Sequence, residues 1–124
     1  MSMRLSKVLA ATALATALAG AATVPAYAAT GYDRCPQNRM CIFTGYNGSG
    51  VMAAFAVGDA DLGDSNGPTG MNNNTKSFYN NSGHHWDFWD LRGYDGAIRH
   101  SEPYVGGRNF GSAWVNRVTS LHDY

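Results

Sequence analysis

Apolar and polar residues alternate over short runs, and Gly, Asn and Asp cluster between the runs, the pattern of strands joined by tight turns. The runs predict strands over 40–44, 51–57, 76–80, 86–91, 97–100 and 116–121. From residue 29 onward, no window of a dozen residues repeats apolar positions at helical spacing while avoiding Gly. The fold class expected is therefore all-β. In the densest aromatic patch, alternation sends Trp86, Phe88 and Asp90 to one face and Asp87 and Trp89 to the other.

The N-terminus breaks the pattern. Arg4 and Lys7 precede an apolar stretch from Val8 to Val24, followed by Pro25 and the small-x-small triplet Ala26, Tyr27, Ala28. Charged, apolar and small-residue regions in that order make 1–28 a cleaved secretory signal peptide, leaving one domain over 29–124. The product is expected to be secreted, extracellular and off the membrane once cleaved. The chain carries nine Lys+Arg and nine Asp+Glu, so losing Arg4 and Lys7 leaves seven basic residues against nine acidic. With no run of Lys or Arg, nucleic-acid binding is excluded, and a monomer is expected.

Export decides how the two cysteines are read. An oxidising compartment favours pairing Cys35 with Cys41, a local clasp at the start of the domain. Zinc would need two more ligands at suitable spacing, and no Cys-x-x-Cys or His-x-x-x-His pattern supplies them.

The domain also repeats itself. Phe43-Thr44-Gly45-Tyr46-Asn47-Gly48 returns as Leu91-Arg92-Gly93-Tyr94-Asp95-Gly96, displaced by 48 residues. Asn73-x-x-x-Ser77 and Asn116-x-x-x-Ser120 close the two halves, about 35–80 and 84–124. Each serine is positioned to tie its hydroxyl to the backbone of the hairpin before it.

Trp89-x-x-x-x-Tyr94-x-Gly96 resembles the aromatic signature of the βγ-crystallin Greek key, and Cys41 stands where the first half would carry its first aromatic. Secretion, the Cys35-Pro36 opening, the return Cys41-Ile42-Phe43-Thr44-Gly45 and the later Lys76-Ser77-Phe78-Tyr79-Asn80 resemble the secreted actinobacterial metallopeptidase-inhibitor family, typified by the Streptomyces metalloproteinase inhibitor. The resemblance implies a βγ-crystallin-like double Greek key, two sheets packed as a sandwich, with Trp89 in its core. Tyr46, Gly48, Ser77, Trp89, Tyr94, Gly96 and Ser120 are the motif positions.

The function implied is inhibition of an extracellular metallopeptidase by a preorganised loop that loses little entropy on docking. In the family that loop lies in the second half and is stapled by a further disulfide, but no cysteine follows Cys41. Two segments qualify, 58–75 and 93–111, and the bulky apolar residue preferred by thermolysin-type peptidases points to Met71, Ile98 or Val105.

The resemblance also implies a calcium segment in each half, with Asn72, Asn73, Asn116 and Thr119 as oxygen donors. Each half departs from the pattern: Lys76 replaces a hydroxyl and Val115 replaces an amide, so at most weak calcium binding is expected, and no other cofactor. The alternative functions are a non-inhibitory module binding calcium, cell wall or a macromolecule, and a small antimicrobial toxin. Catalysis is not expected: Ser82 or Ser101 with a histidine and Asp87 or Asp90 lack any positioning motif, and adjacent His84 and His85 point to opposite faces.

Overall fold

A computed structural model describes residues 31–65 and 67–124; the expected signal peptide lies outside the described residues. Eight strands follow in order: β1 (Arg39–Phe43), β2 (Met52–Phe55), β3 (Gly58–Asp59), β4 (Ser77–Asn81), β5 (Trp86–Leu91), β6 (Asp95–Ser101), β7 (Arg108–Asn109) and β8 (Ser120–Asp123). They form two four-stranded antiparallel sheets, ordered β2-β1-β4-β7 and β3-β8-β5-β6. Among the described residues, no helix is long and apolar enough to cross a membrane.

The two sheets are the same object built twice. In each, the first strand of a half pairs with its second and fourth, and the third crosses to the other sheet. Thus β3 lies beside β8, with Gly58 opposite His122, and β7 lies beside β4, with Ser77 opposite Asn109. The segments entering β4 and β8 cross reciprocally: Asn73 N–H donates to Val118 O at 3.0 Å and Asn116 N–H to Thr75 O at 2.8 Å. This crossing corrects the strand expected over 116–121. Asn116 is left-handed (φ 61°) and β8 begins only at Ser120. The two-residue strands β3 and β7 are too short to leave a periodic signal.

The core lies between the sheets. Met40, Ile42, Phe78, Trp86, Phe88, Phe110, Val118 and Leu121 are buried there, joined from the long loop by Leu62 and Met71. Phe78, Phe88 and Phe110 form a ring cluster with centroids 4.9–5.2 Å apart. Burying each such side chain contributes about 1.5–3 kcal/mol, which is how so small a domain offsets its chain entropy. The alternation expected over 86–90 holds, but its sense is reversed. Trp86 and Phe88 face the core, whereas Trp89 is only half-buried, on the outer face.

Candidate functional site

Sheet register sets the true correspondence between the halves. Phe43 lies opposite Ser77, and Trp89 lies opposite Ser120, so the first-half partner of Trp89 is Phe43, displaced by 46 residues, and not Cys41. The serine ties follow the same rule. Ser77 Oγ donates to Gly45 O at 2.6 Å and accepts from Gly48 N–H at 3.0 Å. Ser120 Oγ donates to Leu91 O at 2.6 Å and accepts from Tyr94 N–H at 3.1 Å. Gly48 therefore stands where Tyr94 stands, and Gly50 where Gly96 stands. Gly50 and Gly96 both have positive φ, 78° and 90°, with Thr44 Oγ1 and Asp90 Oδ1 where a Cβ would go.

In the second half, Tyr94 covers Trp89 with ring centroids 5.3 Å apart. The first half has no side chain at Gly48 to do this, and Tyr32 supplies the ring, meeting Phe43 edge-on at 5.4 Å and Tyr79 at 5.9 Å. Arg34 fastens the same segment, donating to Gly50 O at 2.9 Å and Gly48 O at 2.7 Å. The Cys35–Cys41 disulfide is formed, with a Cα separation of 5.8 Å, and joins this segment to β1. The outer face of the first sheet is thereby closed into a second small core of Cys35, Cys41, Phe43, Tyr32, Met52 and Tyr79.

The matching face of the second sheet has no N-terminal clasp over it; Tyr94 alone lies there, on Trp89 and on His122 at 5.0 Å. The register places Ile98 where Met52 stands, Trp89 for Phe43, Asp87 for Cys41 and His122 for Tyr79. Ile98 is 47% exposed. All four histidines gather around this face and its C-terminal end. His84 Nδ1 lies 2.8 Å from Asp123 Oδ2, His100 Nδ1 is bonded to Asp87, and His85 stacks on Tyr124. Among the described residues, no group of three or more His, Cys, Asp or Glu is arranged to hold a metal ion.

Beyond β6 the chain is held from beneath by a buried asparagine. Asn80 is fully buried, and its Nδ2 donates to Glu102 O at 2.8 Å and His84 O at 2.9 Å. Its Oδ1 accepts from Ser82 Oγ at 2.6 Å, and Ser82 Oγ accepts from Trp86 Nε1 at 2.9 Å. Two backbone bonds complete the tether: Tyr104 N–H to Ser82 O at 3.0 Å and Asn80 N–H to Val105 O at 3.1 Å. Tyr104 projects from this segment, 67% exposed with φ 54°. Ser82 is thus a structural link between Asn80 and Trp86. Asn80 closes the phrase Lys76-Ser77-Phe78-Tyr79-Asn80, but nothing in the sequence marks it as buried, and no motif singles out Tyr32.

The candidate inhibitory residues separate on burial. Met71 is fully buried in the main core, which removes it and corrects that assignment. Val105 is half-buried and packs against the same core, so it anchors its segment instead of presenting a free side chain. Ile98 alone of the three is open to solvent.

The calcium segments lie where the halves cross. Lys76 Nζ donates to Asn116 Oδ1 at 3.2 Å and to Asn74 Oδ1 at 3.4 Å. A fixed ammonium among those oxygens opposes a divalent cation, so the residues around Asn116 do not fit calcium. On the other side, Thr119 Oγ1 lies 2.9 Å from Asn73 Oδ1, a pair of neutral donors, with Asn72 exposed nearby. Arg117 and Ala97 N–H instead claim the carboxylate of Asp90, at 2.5 and 2.8 Å, and hold its pKa below the usual aspartate range.

Comparison with solved structures agrees with this topology. A structure described under the evolution of the eye-lens βγ-crystallin domain fold is 11% identical, with a TM-score of 0.64, covering 73% of this chain and 89% of its own. A βγ-crystallin from Ciona intestinalis is 19% identical, with a TM-score of 0.58 and coverage of 69% and 99%. A βγ-crystallin domain from Flavobacterium johnsoniae is 16% identical, with a TM-score of 0.59 and coverage of 68% and 92%. The shared fold is the βγ-crystallin double Greek key. No curated protein matches the sequence. The model of peptidase inhibitor family I36 matches residues 28–101, more than half of the chain, from before the disulfide clasp to the end of β6. The chain belongs to peptidase inhibitor family I36.

Proposed function

We propose that this protein is exported and inhibits an extracellular metallopeptidase, blocking the cleft with the second-half segment 98–105. The observation that carries the reading is the Asn80 tether. Three hydrogen bonds join Asn80 and Ser82 to the backbone of Glu102, Tyr104 and Val105, fixing a segment whose Tyr104 side chain is exposed, with its ring over Gly83. An inhibitor segment must already be ordered, because each residue frozen on docking costs affinity. Here buried hydrogen bonds do what a second disulfide would do by covalent linkage. Membership of an inhibitor family and the disulfide suit an exported role.

Titration against thermolysin, with subtilisin as the comparison enzyme, tests the reading. Stoichiometric loss of thermolysin activity with the added protein left intact is the expected result. Undiminished turnover, or steady digestion of the added protein, overturns it.

A further inference from the structure

We infer that the inhibitory contact is made by the free edge of β6, which adds as an extra strand to an extended segment lining the peptidase cleft, with Ile98 as its apolar anchor. This deepens, and rests on, the inhibitor reading above. β6 is seven residues long and forms one border of its sheet; the opposite border is the two-residue β3. Of its residues, 95–98 and His100 are exposed.

The direction of its free backbone groups follows from the neighbouring pairs. Tyr124 N–H donates to His85 O, so odd-numbered residues of β5 exchange hydrogen bonds with β8, and the even-numbered ones turn to β6. Phe88 lies opposite Arg99 and Trp86 opposite Ser101, so Arg99 and Ser101 bond inward. Ile98 and His100 then turn their N–H and C=O groups to the open edge, while their side chains stand on the outer face.

That combination is what strand addition requires: unpaired main-chain groups for affinity and an alternate side chain for specificity. The occupant is a peptidase because cleft-bound substrates lie extended, and because the chain belongs to a peptidase inhibitor family whose model includes β6. The halves differ in the same sense. The first-half counterpart of Ile98, Met52, packs into the small core closed by the N-terminal clasp, and the second half leaves Ile98 bare.

Proline on an outward-facing edge position removes a free N–H without breaking a ladder bond, so His100→Pro separates docking from folding. In thermolysin titrations we expect His100→Pro to weaken inhibition at least ~10-fold and Ile98→Ala about 10-fold, while His100→Ala stays within ~3-fold. Amide hydrogen exchange with and without thermolysin supplies a readout independent of the variants' folding, with protection expected at Ile98 and His100. If the unaltered protein inhibits but these amides gain no protection, or both His100→Pro and Ile98→Ala inhibit normally, the edge assignment is overturned and the inhibitor reading stands. If the unaltered protein does not inhibit, both fall. Concentration-dependent protection of β6 without thermolysin assigns the edge to a second copy of the chain and overturns the assignment to a peptidase.

Discussion

Tyr32 lies against Gly48 with both ring and backbone: a Cβ built there would meet Tyr32 Cδ1 and Tyr32 N at 2.7 Å and Gly31 C at 2.9 Å. Gly48 also has φ 73°, a conformation that resists other residues. Tyr32→Ala is expected to cost about 2 kcal/mol, less than the ~3–5 kcal/mol of a fully buried aromatic, because the ring is partly exposed. Gly48→Ala is expected to cost about 1–3 kcal/mol, and less in the Tyr32→Ala background, where part of the clash is gone. Urea melts of the two single variants and the double variant measure this coupling. Strict additivity contradicts the role given to Tyr32.

The disulfide joins residues only six apart in sequence. Chain entropy for so short a loop gives about 2 kcal/mol, so replacing both cysteines by serine should lower stability by that much and leave a folded second sheet. Equilibrium denaturation measures the loss. A protein unable to fold without the bridge would show that the clasp organises far more than β1.

Asn80 is the point on which the 102–105 segment depends. Asn80→Ala strands Glu102 O and His84 O and opens a small void, with an expected cost of about 2–4 kcal/mol. Faster hydrogen exchange should appear at Tyr104, whose N–H bonds to Ser82 O, before it appears in β1. Uniform acceleration across both sheets would contradict a local tether.

Lys76 holds the oxygens that a dication would need. The unaltered protein should gain little thermal stability from millimolar calcium, whereas Lys76→Ser exposes Asn116 and Asn74 oxygens and should melt higher with calcium than without. Calorimetry with and without the ion decides it. A large shift for the unaltered protein contradicts the blocking role of the ammonium.

Asp90 ties the second hairpin to Arg117. Its pKa is lowered first by the Arg117 hydrogen bond and then by Ala97 N–H. A carboxylate depressed in the folded state adds stability that is fully present above about pH 4 and is lost as pH falls through the folded value. Thermal melts from pH 6 to pH 2 should therefore decline in acid, and Asp90→Asn should flatten that decline. An unchanged acid limb would show that the pair contributes nothing measurable.

Several of these features could be read from residue order alone, and the reasons are physical. Five of the six longer strands are announced by short apolar and aromatic runs between Gly, Asn and Asp clusters, and the serine ties by Asn-x-x-x-Ser, because both are local; β8 begins four residues later than its run predicts. Matching Tyr46 to Tyr94 gives a displacement of 48 residues, whereas the backbone equates Tyr94 with Gly48, a displacement of 46. Tyr32 covers a glycine 16 residues away, and no local pattern encodes that. Met71 looked like a loop residue by its Asn- and Gly-rich surroundings, yet its side chain is in the core. Asn80 was hidden for the opposite reason: polar residues are read as surface, and this one is buried with its hydrogen bonds satisfied from three directions.

The traded strands β3 and β7 also mean that neither half can exist as a finished object. A break in the turn at Gly83 would release two fragments, each holding the border piece of the other's sheet. Either alone would have to borrow that piece from a second molecule. The single polypeptide makes the loan internal, so the two halves are free to diverge in surface, one sealed by the clasp and one more open, while remaining obliged to each other for completion.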